Sequence, residues 1–286
     1  MTRLSLEQVI DRVQDVPALP QIVNRVIELT EDPNSTARDI EAVINKDQSL
    51  TARVLRLANS AYYGYPRRIS TITEATILLG FQTVKSITIS AAVKKVLFKK
   101  LPGYGMPEGA LWKHSQTCAI IARCLGKKFS VRNIDEIYTA ALLHDIGKVI
   151  MSYYMEENYD QVIKMVQQNN MPFIEAEQQI LGFDHCQLGA KLCEKWNLPY
   201  ALMEPIAYHH DPQRGVKNID SLYITHISDA ITMTLGIGLG VDGMAYELYT
   251  PALERFGISE EEGIEKIILE ISDMISDEQS YDGYQL

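Results

Sequence analysis

The sequence predicts an all-α protein. Apolar residues recur three and four positions apart along most of the chain, as in Ile22, Val23, Val26 and Ile27, and this spacing places them on one face of a helix. Few segments show the two-residue alternation that is typical of a half-buried strand. With 286 residues, of which 46% are hydrophobic, the chain can bury the cores of one or two packed units.

Capping residues mark helix starts in the first part of the chain. Ser5 with Gln8, and Thr36 with Asp39, have the spacing of a capping box. Pro20 suits a first helical position, because its missing N–H would have no partner there. These signals predict several short helices before residue 60.

A glycine separates the next two predicted helices. Gly80 follows the apolar run that ends at Leu79, and Phe81 begins a second helix that runs to about Phe98. This unit has the form helix, tight turn, helix, which is also the form of some DNA-binding elements.

The clearest break in the chain is the segment 101–107, which contains two prolines and two glycines. It predicts a first helical subdomain over residues 1–105 and a second helical block over residues 106–235. The second block contains all six histidines of the chain. A loop rich in glycine follows, and residues 236–286 are predicted to form a C-terminal helical extension.

Charge and cysteine spacing limit the classes of function. The 27 basic and 37 acidic residues give a net charge of −10, which repels a nucleic-acid backbone and argues against specific DNA binding. No apolar run approaches the roughly 18–20 residues that span a bilayer, so we expect a cytoplasmic protein without a membrane partner. The four cysteines lack a CxxC spacing, which predicts reduced thiols of structural use.

The strongest local motif is the His144-Asp145 pair at the end of an apolar helix, followed by Gly147 and Lys148. Polar side chains at the end of a buried helix need partners. Imidazole nitrogen and carboxylate oxygen together suit a divalent ion such as iron, manganese or zinc. Lys148 lies one helical turn after His144, where its ammonium could meet a phosphate oxygen. The alternative is a capped helix end with a solvated lysine.

Other candidate ligands occur at wide intervals along the second block. They are His114, His185, His209, His210 and Asp229. A single histidine on an apolar helix is more often a packed residue than a metal ligand. Here five of the six histidines fall in one ordered series that ends with an aspartate, and the series favours a metal centre.

This order of residues resembles the HD superfamily of metal-dependent phosphohydrolases, and specifically its HDOD branch, which is related to HD-GYP. Phrases typical of HDOD proteins stand at residues 16–20 (VPALP), 44–51 (INKDQSLT), 54–64 (VLRLANSAYYG), 75–80 (ATILLG) and 196–199 (WNLP). The resemblance implies an N-terminal helical bundle packed against an HD-like helical bundle. It also implies a role in bacterial signalling.

The resemblance further implies a metal centre with one or two divalent transition-metal ions, iron, manganese or zinc. Its ligands would be His114, His144, Asp145, His185, His209, His210 and Asp229. Asp145 would bridge two ions, and with Lys148 it would serve catalysis. Residues 211–215 (DPQRG) follow the tandem histidines where cyclic di-GMP phosphodiesterases have a Gly-Tyr-Pro loop, and this departure argues against cyclic di-GMP as substrate.

Two functions follow from this interpretation. In the first, the centre hydrolyses a nucleotide or another phosphate ester. In the second, the protein is a non-catalytic signalling or scaffold module with a protein partner, and its metal site is structural or senses a ligand.

Asp184 and His226 are candidates for orienting the metal ligands.

Overall fold

A computed structural model gives the fold of the chain. It describes residues 19–60, 63, 65–156, 158–169, 171–240, 248–259 and 263–270, with the single residues 6, 9 and 272. The helices in this part are α1 (Gln21–Glu31), α2 (Ala37–Ile44), α3 (Gln48–Ala58), α4 (Ile72–Leu79), α5 (Phe81–Leu97), α6 (Ala110–Lys128), α7 (Ile134–Leu143), α8 (Gly147–Glu156), α9 (Tyr159–Asn169), α10 (Phe173–Leu181), α11 (His185–Lys195), α12 (Tyr200–Tyr208), α13 (Ile219–Thr234) and α14 (Thr250–Glu254). Residues 263–270 are helical as well. The described residues form no strand beyond an isolated bridge between Leu101 and Met106, so the all-α prediction is confirmed.

The chain divides into two compact units. The first unit consists of residues 18–94 and 266–286, and the second unit of residues 1–17 and 95–265. The division falls inside α5, eleven residues before the predicted boundary at 105. The reason is that the turn Pro102–Tyr104 packs against α8, with the backbone N–H of Gly103 donating to Ser152 Oγ at 3.1 Å. The segments 1–105, 106–235 and 236–286 stay a prediction as folding units.

The first unit has one apolar core. Its members come from α1 to α5 and the segment before α4, and they are Val26, Leu29, Ile40, Ile44, Leu50, Val54, Ala58, Ile69, Ile72, Ala75, Val84, Ile87 and Ala91. The predicted capping box forms at α2, where Thr36 Oγ1 accepts from Asp39 N and Asp39 Oδ2 accepts from Thr36 N. Gly80, with φ +89°, separates α4 from α5 as predicted.

Several other predictions fall at or beyond the described residues. Helix α1 begins at Gln21, so Pro20 is its N-cap and stands one residue before the predicted position. The capping box of Ser5 with Gln8, and residues 16–18 of the first HDOD phrase, lie outside the described residues.

The second unit contains α6 to α14. Helices α6, α7, α12 and α13 pack on one another, and α11 packs against both α8 and α12. Helix α7 is buried along most of its length, because apolar residues from Ile137 to Leu143 occupy all of its faces. A helix that is apolar on every side must lie in the interior. The residues at its C-terminal end therefore enter the core of the unit.

A glycine permits a close approach of two helices in this unit. A Cβ atom on Gly147, the first residue of α8, would collide with the carbonyl oxygen of His185 and would lie 2.6 Å from the amide nitrogen of Gly189. Only a residue without a side chain allows α8 and α11 to meet at this point. The glycine of the His-Asp-x-Gly-Lys motif thus has a packing role.

No described helix combines the length and the apolarity needed to cross a bilayer.

Candidate metal centre

The seven predicted ligands come together in the second unit. His114 lies on α6 and Asp229 on α13, whereas the others stand at helix ends: His144 and Asp145 after α7, His185 at the start of α11, and His209 and His210 after α12. All are at most 2% exposed except His210, which is partly exposed. Residues up to 115 positions apart in the sequence thus meet in one buried cluster.

Asp145 stands at the middle of the cluster. Its Oδ2 lies 3.3 Å from His144 Nε2 and 3.6 Å from His114 Nε2. Its Oδ1 lies 3.4 Å from His185 Nε2 and 3.7 Å from His209 Nε2. The two oxygens of one carboxylate therefore face two different pairs of imidazoles.

Asp229 completes one side of the cluster. Its Oδ1 lies 3.0 Å from His114 Nε2 and 3.4 Å from His144 Nε2. We call His114, His144 and Asp229 the first group. On the other side, the ring centre of His210 lies 5.1 Å from that of His185 and 4.3 Å from that of His209. We call these three histidines the second group. Asp145 lies between the two groups.

Hydrogen bonds at Nδ1 orient four of the imidazoles. This nitrogen contacts Ile237 O in His114 (3.1 Å), Ala141 O in His144 (2.6 Å), Glu177 Oε2 in His185 (2.8 Å) and Ile206 O in His209 (3.0 Å). Each of these partners is an acceptor, so Nδ1 carries a proton in each ring and Nε2 is the nitrogen left to bind a metal ion. All four Nε2 atoms face the carboxylates of the cluster.

This arrangement fits a bound cation. His144 Nε2 and Asp145 Oδ1 are buried and have no hydrogen-bond partner among the described residues. Lone pairs that face carboxylate oxygens in the interior repel one another unless a proton or a metal ion lies between them. Imidazole nitrogen with carboxylate oxygen is a ligand set for iron, manganese or zinc, and hydrogen-bonded outer nitrogens are usual in such sites.

The charges of the cluster shift the pKa values of its members. Burial raises the pKa of Asp145 and of Asp229, but the neighbouring His144, with Lys148 at Asp145, outweighs burial and holds both pKa values well below the usual range. Burial lowers the pKa of His144, yet the charge of Asp145 raises it well above the ordinary value. Burial lowers the pKa of His209 to about 4. The carboxylates are thus ionised, and His209 is neutral at pH 7.

Glu177 and Tyr104 support His185 and do not appear in the sequence interpretation. Glu177 Oε2 accepts from both the backbone N–H (2.9 Å) and Nδ1 (2.8 Å) of His185, and Glu177 Oε1 accepts from the hydroxyl of Tyr104. Both supporting residues are fully buried. A signal was present in the sequence, because Glu177 stands four residues after Phe173 on the apolar face of α10.

His226 and Asp184, the two residues that the sequence suggests for orienting the ligands, form hydrogen bonds with backbone groups of the site. His226 donates from Nδ1 to the carbonyl of His209 at 2.7 Å, and its Nε2 accepts from Tyr249 N at 2.9 Å. Asp184 caps α11, accepting from Gln187 N at 2.7 Å. His226 therefore holds the segment that carries His209, and Asp184 holds the helix that begins with His185.

Lys148 is buried, with 3% exposure, and its Nζ lies 2.6 Å from Asp145 Oδ2. The alternative of a solvated lysine is therefore wrong.

The glycine loop after α13 also contacts the cluster. The carbonyl of Ile237 accepts a hydrogen bond from His114, and Gly238, with φ +63°, lies against the backbone of α6. Residues 241–243 of this loop lie outside the described part of the chain.

Cys186 also lies at the cluster. The sequence interpretation gives all four thiols a structural role. The structure places Cys186 Sγ 3.5 Å from His185 Nε2 and 3.8 Å from His209 Nε2. No motif in the sequence distinguishes this cysteine from the other three.

Comparison with known families agrees with this architecture. The family model of the HDOD domain matches residues 16–212. The chain belongs to the HDOD family. An uncharacterized protein of Treponema pallidum (strain Nichols) is 27% identical to this HDOD protein over 202 residues, which are 70% of this chain and 39% of that protein. The chain thus spans about two fifths of the length of this curated relative.

Solved structures share the fold of this HDOD protein. An HDOD domain protein with unknown function from Geobacter sulfurreducens is 26% identical, with a TM-score of 0.76 and coverage of 100% of this chain and 99% of that one. A Shewanella amazonensis SB2B protein that bears the provisional name phosphohydrolase is 22% identical, with a TM-score of 0.69 and coverage of 96% and 97%. At that identity the second likeness shows the fold alone.

Proposed function

We propose that this HDOD protein is a metal-dependent phosphohydrolase that acts on a nucleotide or another phosphate ester at the centre around Asp145. The observation that carries the proposal is the position of this carboxylate, whose two oxygens face two sets of imidazoles at 3.3–3.7 Å. A carboxylate between two sets of ligands suits a pair of divalent ions that share it.

The chain would hold the ions with the two groups of ligands. One ion would be held by the first group and one by the second group, with Asp145 within reach of both. Divalent iron, manganese or zinc bound in this way would activate a water molecule and offset the charge of a phosphoryl group. The hydrogen bonds at Nδ1 fix the imidazoles before any ion binds, so the side chains lose little conformational freedom on binding.

Lys148 is proposed to contact the phosphate. A protonated ammonium has no lone pair and cannot be a metal ligand, but it has three N–H donors. One of these donors reaches Asp145 Oδ2, which keeps the ammonium at the centre of the cluster. A phosphate oxygen that approaches Asp145 would therefore meet a buried positive charge.

The substrate is proposed to enter beside His210, because this is the partly exposed member of the seven predicted ligands. The DPQRG segment at residues 211–215 directly follows His210 and contains the turn Pro212–Arg214. Since this segment lacks the Gly-Tyr-Pro loop, we direct the proposal at phosphate esters other than cyclic di-GMP.

The test is hydrolysis after metal loading. Protein purified without chelator is loaded separately with Fe²⁺, Mn²⁺ or Zn²⁺, and metal per chain is measured together with hydrolysis of bis(para-nitrophenyl) phosphate, of nucleotides and of cyclic di-GMP. We expect turnover of a phosphate ester, with loss of both metal and turnover in His144→Ala. Lys148→Ala should keep metal and lose turnover, and the exposed Lys164→Ala should keep both.

The outcomes separate the two functions. Metal retention without turnover of any probe would contradict the phosphohydrolase and favour the signalling or scaffold module with a structural or ligand-sensing metal. A folded protein that retains none of the three metals would contradict both. Loss of metal in folded Lys148→Ala would assign Lys148 to support of the site and not to the substrate.

A further inference from the structure

The second group of ligands includes a sulfur atom. Cys186 is the second residue of α11 and is 2% exposed. Cys186 offers its Sγ as a ligand atom, and His185, His209 and His210 each offer one ring nitrogen. These four atoms lie within 4.8 Å of one another. Cys193, in the same helix and fully buried, belongs to no such group among the described residues.

The sulfur distances match those between ligands of one ion. Tetrahedral zinc with Zn–S of about 2.3 Å and Zn–N of about 2.0–2.1 Å separates a sulfur from a nitrogen ligand by about 3.5–3.6 Å. Cys186 Sγ lies 3.5 Å from His185 Nε2 and 3.8 Å from His209 Nε2. A single ion could therefore contact all three atoms with small side-chain adjustments.

Charge gives a second and independent reason. The first group contains its own carboxylate, Asp229, and shares Asp145. The second group shares Asp145 but otherwise consists of imidazoles, which are neutral when they bind a metal ion, so a divalent ion there would be less well neutralised than its neighbour. A thiolate at Cys186 would give each ion one anionic ligand of its own and one shared anionic ligand.

We infer that Cys186 is a thiolate ligand of the ion held by His185, His209 and His210, which makes this half of the centre selective for soft or borderline ions such as Zn²⁺, Fe²⁺ or Cd²⁺ over Mn²⁺ and Mg²⁺. The inference rests on the metal centre of the proposed function. Thiolate ligands favour the softer ions, whereas oxygen ligands suit Mg²⁺ and Mn²⁺. On binding, the S–H bond of Cys186 breaks, the proton passes to the solvent, and a sulfur–metal bond forms.

The test is the spectrum of the cobalt-loaded protein. Full-length protein is titrated with Co²⁺, with metal per chain measured in parallel, and the near-ultraviolet region is scanned for a thiolate-to-cobalt charge-transfer band. We expect the band in the wild type and in Cys193→Ala, which removes a buried thiol from the same helix. The band should be absent in Cys186→Ala.

Metal selectivity is the second measurement. Cys186→Ala should weaken binding of Cd²⁺ by roughly tenfold or more, because changes outside the ligand shell already cost about 10–100-fold. Binding of Mn²⁺ should change much less. The ¹¹³Cd chemical shift of wild-type protein, which separates sulfur from nitrogen ligands, gives the same answer without any substitution.

Each outcome decides the inference. Wild-type protein that binds cobalt without the band, or a band that survives in Cys186→Ala, would show that Cys186 is not a ligand and would leave the phosphohydrolase proposal intact. Protein that binds no cobalt, zinc or cadmium would overturn both. If Cys186→Ala does not fold, the wild-type cobalt and cadmium spectra still decide the question.

Discussion

Asp145 is the residue on which the two halves of the centre depend. Each imidazole offers one lone pair, whereas a carboxylate offers an oxygen to each side. Asp145 Oδ2 faces the first group and Oδ1 faces the second, at distances of 3.3–3.7 Å. Its short side chain follows directly on His144, so the residue proposed to share two ions stands beside a proposed ligand of one of them.

Substitution of Asp145 tests this role. Asp145→Asn keeps the shape of the side chain but removes the charge that offsets two divalent ions. We expect metal per chain to fall and hydrolysis of a phosphodiester to disappear, with a helical circular-dichroism spectrum retained. Asp160→Asn, at an exposed position, is the matched control. Full metal content and full activity in Asp145→Asn would contradict the shared-ligand role.

Glu177 is a positioning residue for His185. Its carboxylate accepts from the backbone and the ring of His185 and from Tyr104, and a buried carboxylate makes imidazole a stronger ligand. Glu177→Ala should lower metal affinity about 10–100-fold. Glu177→Gln, which retains an acceptor and loses the charge, should lower it less.

Metal affinity measured by chelator competition separates positioning from general support of the fold. Tyr104→Phe should show a small loss of affinity, because the hydroxyl donates to Glu177, which in turn accepts from His185. The exposed Glu175→Ala, in the same helix, should show none. An unchanged affinity in folded Glu177→Ala would remove Glu177 from the centre.

At the scale of the element, the ends of helices provide the order of the site. The last carbonyls of a helix have no intrahelical partner. His144 and His209 stand directly after α7 and α12, and each donates from Nδ1 to such a carbonyl three residues earlier, at Ala141 and Ile206. The same bond satisfies a helix end and turns Nε2 toward the cluster. The end of each helix therefore orients His144 or His209 by itself, and no separate loop is needed to position these two side chains.

The contact between α8 and α11 depends on Gly147. Gly147→Ala would force these helices apart, and overpacking of this kind typically costs about 1–3 kcal/mol of unfolding free energy. Since α11 begins with His185 and the His144-Asp145 pair directly precedes α8, metal affinity should fall as well. Urea unfolding of the metal-free protein and metal titration are the measurements.

Gly126 gives a control of opposite sign. It lies inside α6, and an added Cβ would meet Ile134 at an ordinary contact distance of 3.5 Å. Gly126→Ala should therefore raise the unfolding free energy by about 0.5–1 kcal/mol. Equal stability of the Gly147→Ala and Gly126→Ala proteins would show that the close approach of α8 and α11 is not required.

The sequence predicts the helices well, because their signals are local. Periodicity, the Thr36 capping box and Gly80 depend on residues within a few positions of each other, and the structure has all three. The HDOD resemblance predicts which residues form the ligand series. Glu177, Tyr104 and Cys186 could not be assigned to the site, because their roles arise from contacts between segments that are apart in the sequence, as between Tyr104 and Glu177 or between Cys186 and His209.

At the scale of the whole molecule, the centre couples metal binding to protons. Burial lowers the pKa of His144 and His185, but the nearby carboxylates, Asp145 for the one and Glu177 for the other, raise both above the ordinary value of 6.5. A group whose pKa is raised by folding stabilises the fold fully below its unfolded pKa. That contribution is lost as the pH rises through the folded pKa. The metal-free protein should therefore lose stability above about pH 6.5 from these two groups.

Metal ions act in the opposite direction. A nitrogen that binds a metal ion must be deprotonated, so an ion has to displace the Nε2 protons of His144 and His185. Burial lowers the pKa values of His209 and His210, so near neutral pH these two rings are already neutral and have no such proton to displace. Between about pH 6 and 8, apparent metal affinity should rise with pH, by about tenfold per unit for each proton displaced.

Two measurements check this linkage. The metal-induced increase in Tm should grow with pH across that window, and calorimetric titration in two buffers of different ionisation enthalpy should detect up to about three protons released per chain, one each from His144, His185 and Cys186. The carboxylates do not contribute, because the pKa values of Asp145 and Asp229 are lowered and lie outside the window. Release of no more than the one proton of Cys186 would mean that these imidazoles are already neutral in the metal-free protein. The carboxylates would then face the lone pairs of Nε2 without an intervening proton, which is the arrangement that burial makes most costly.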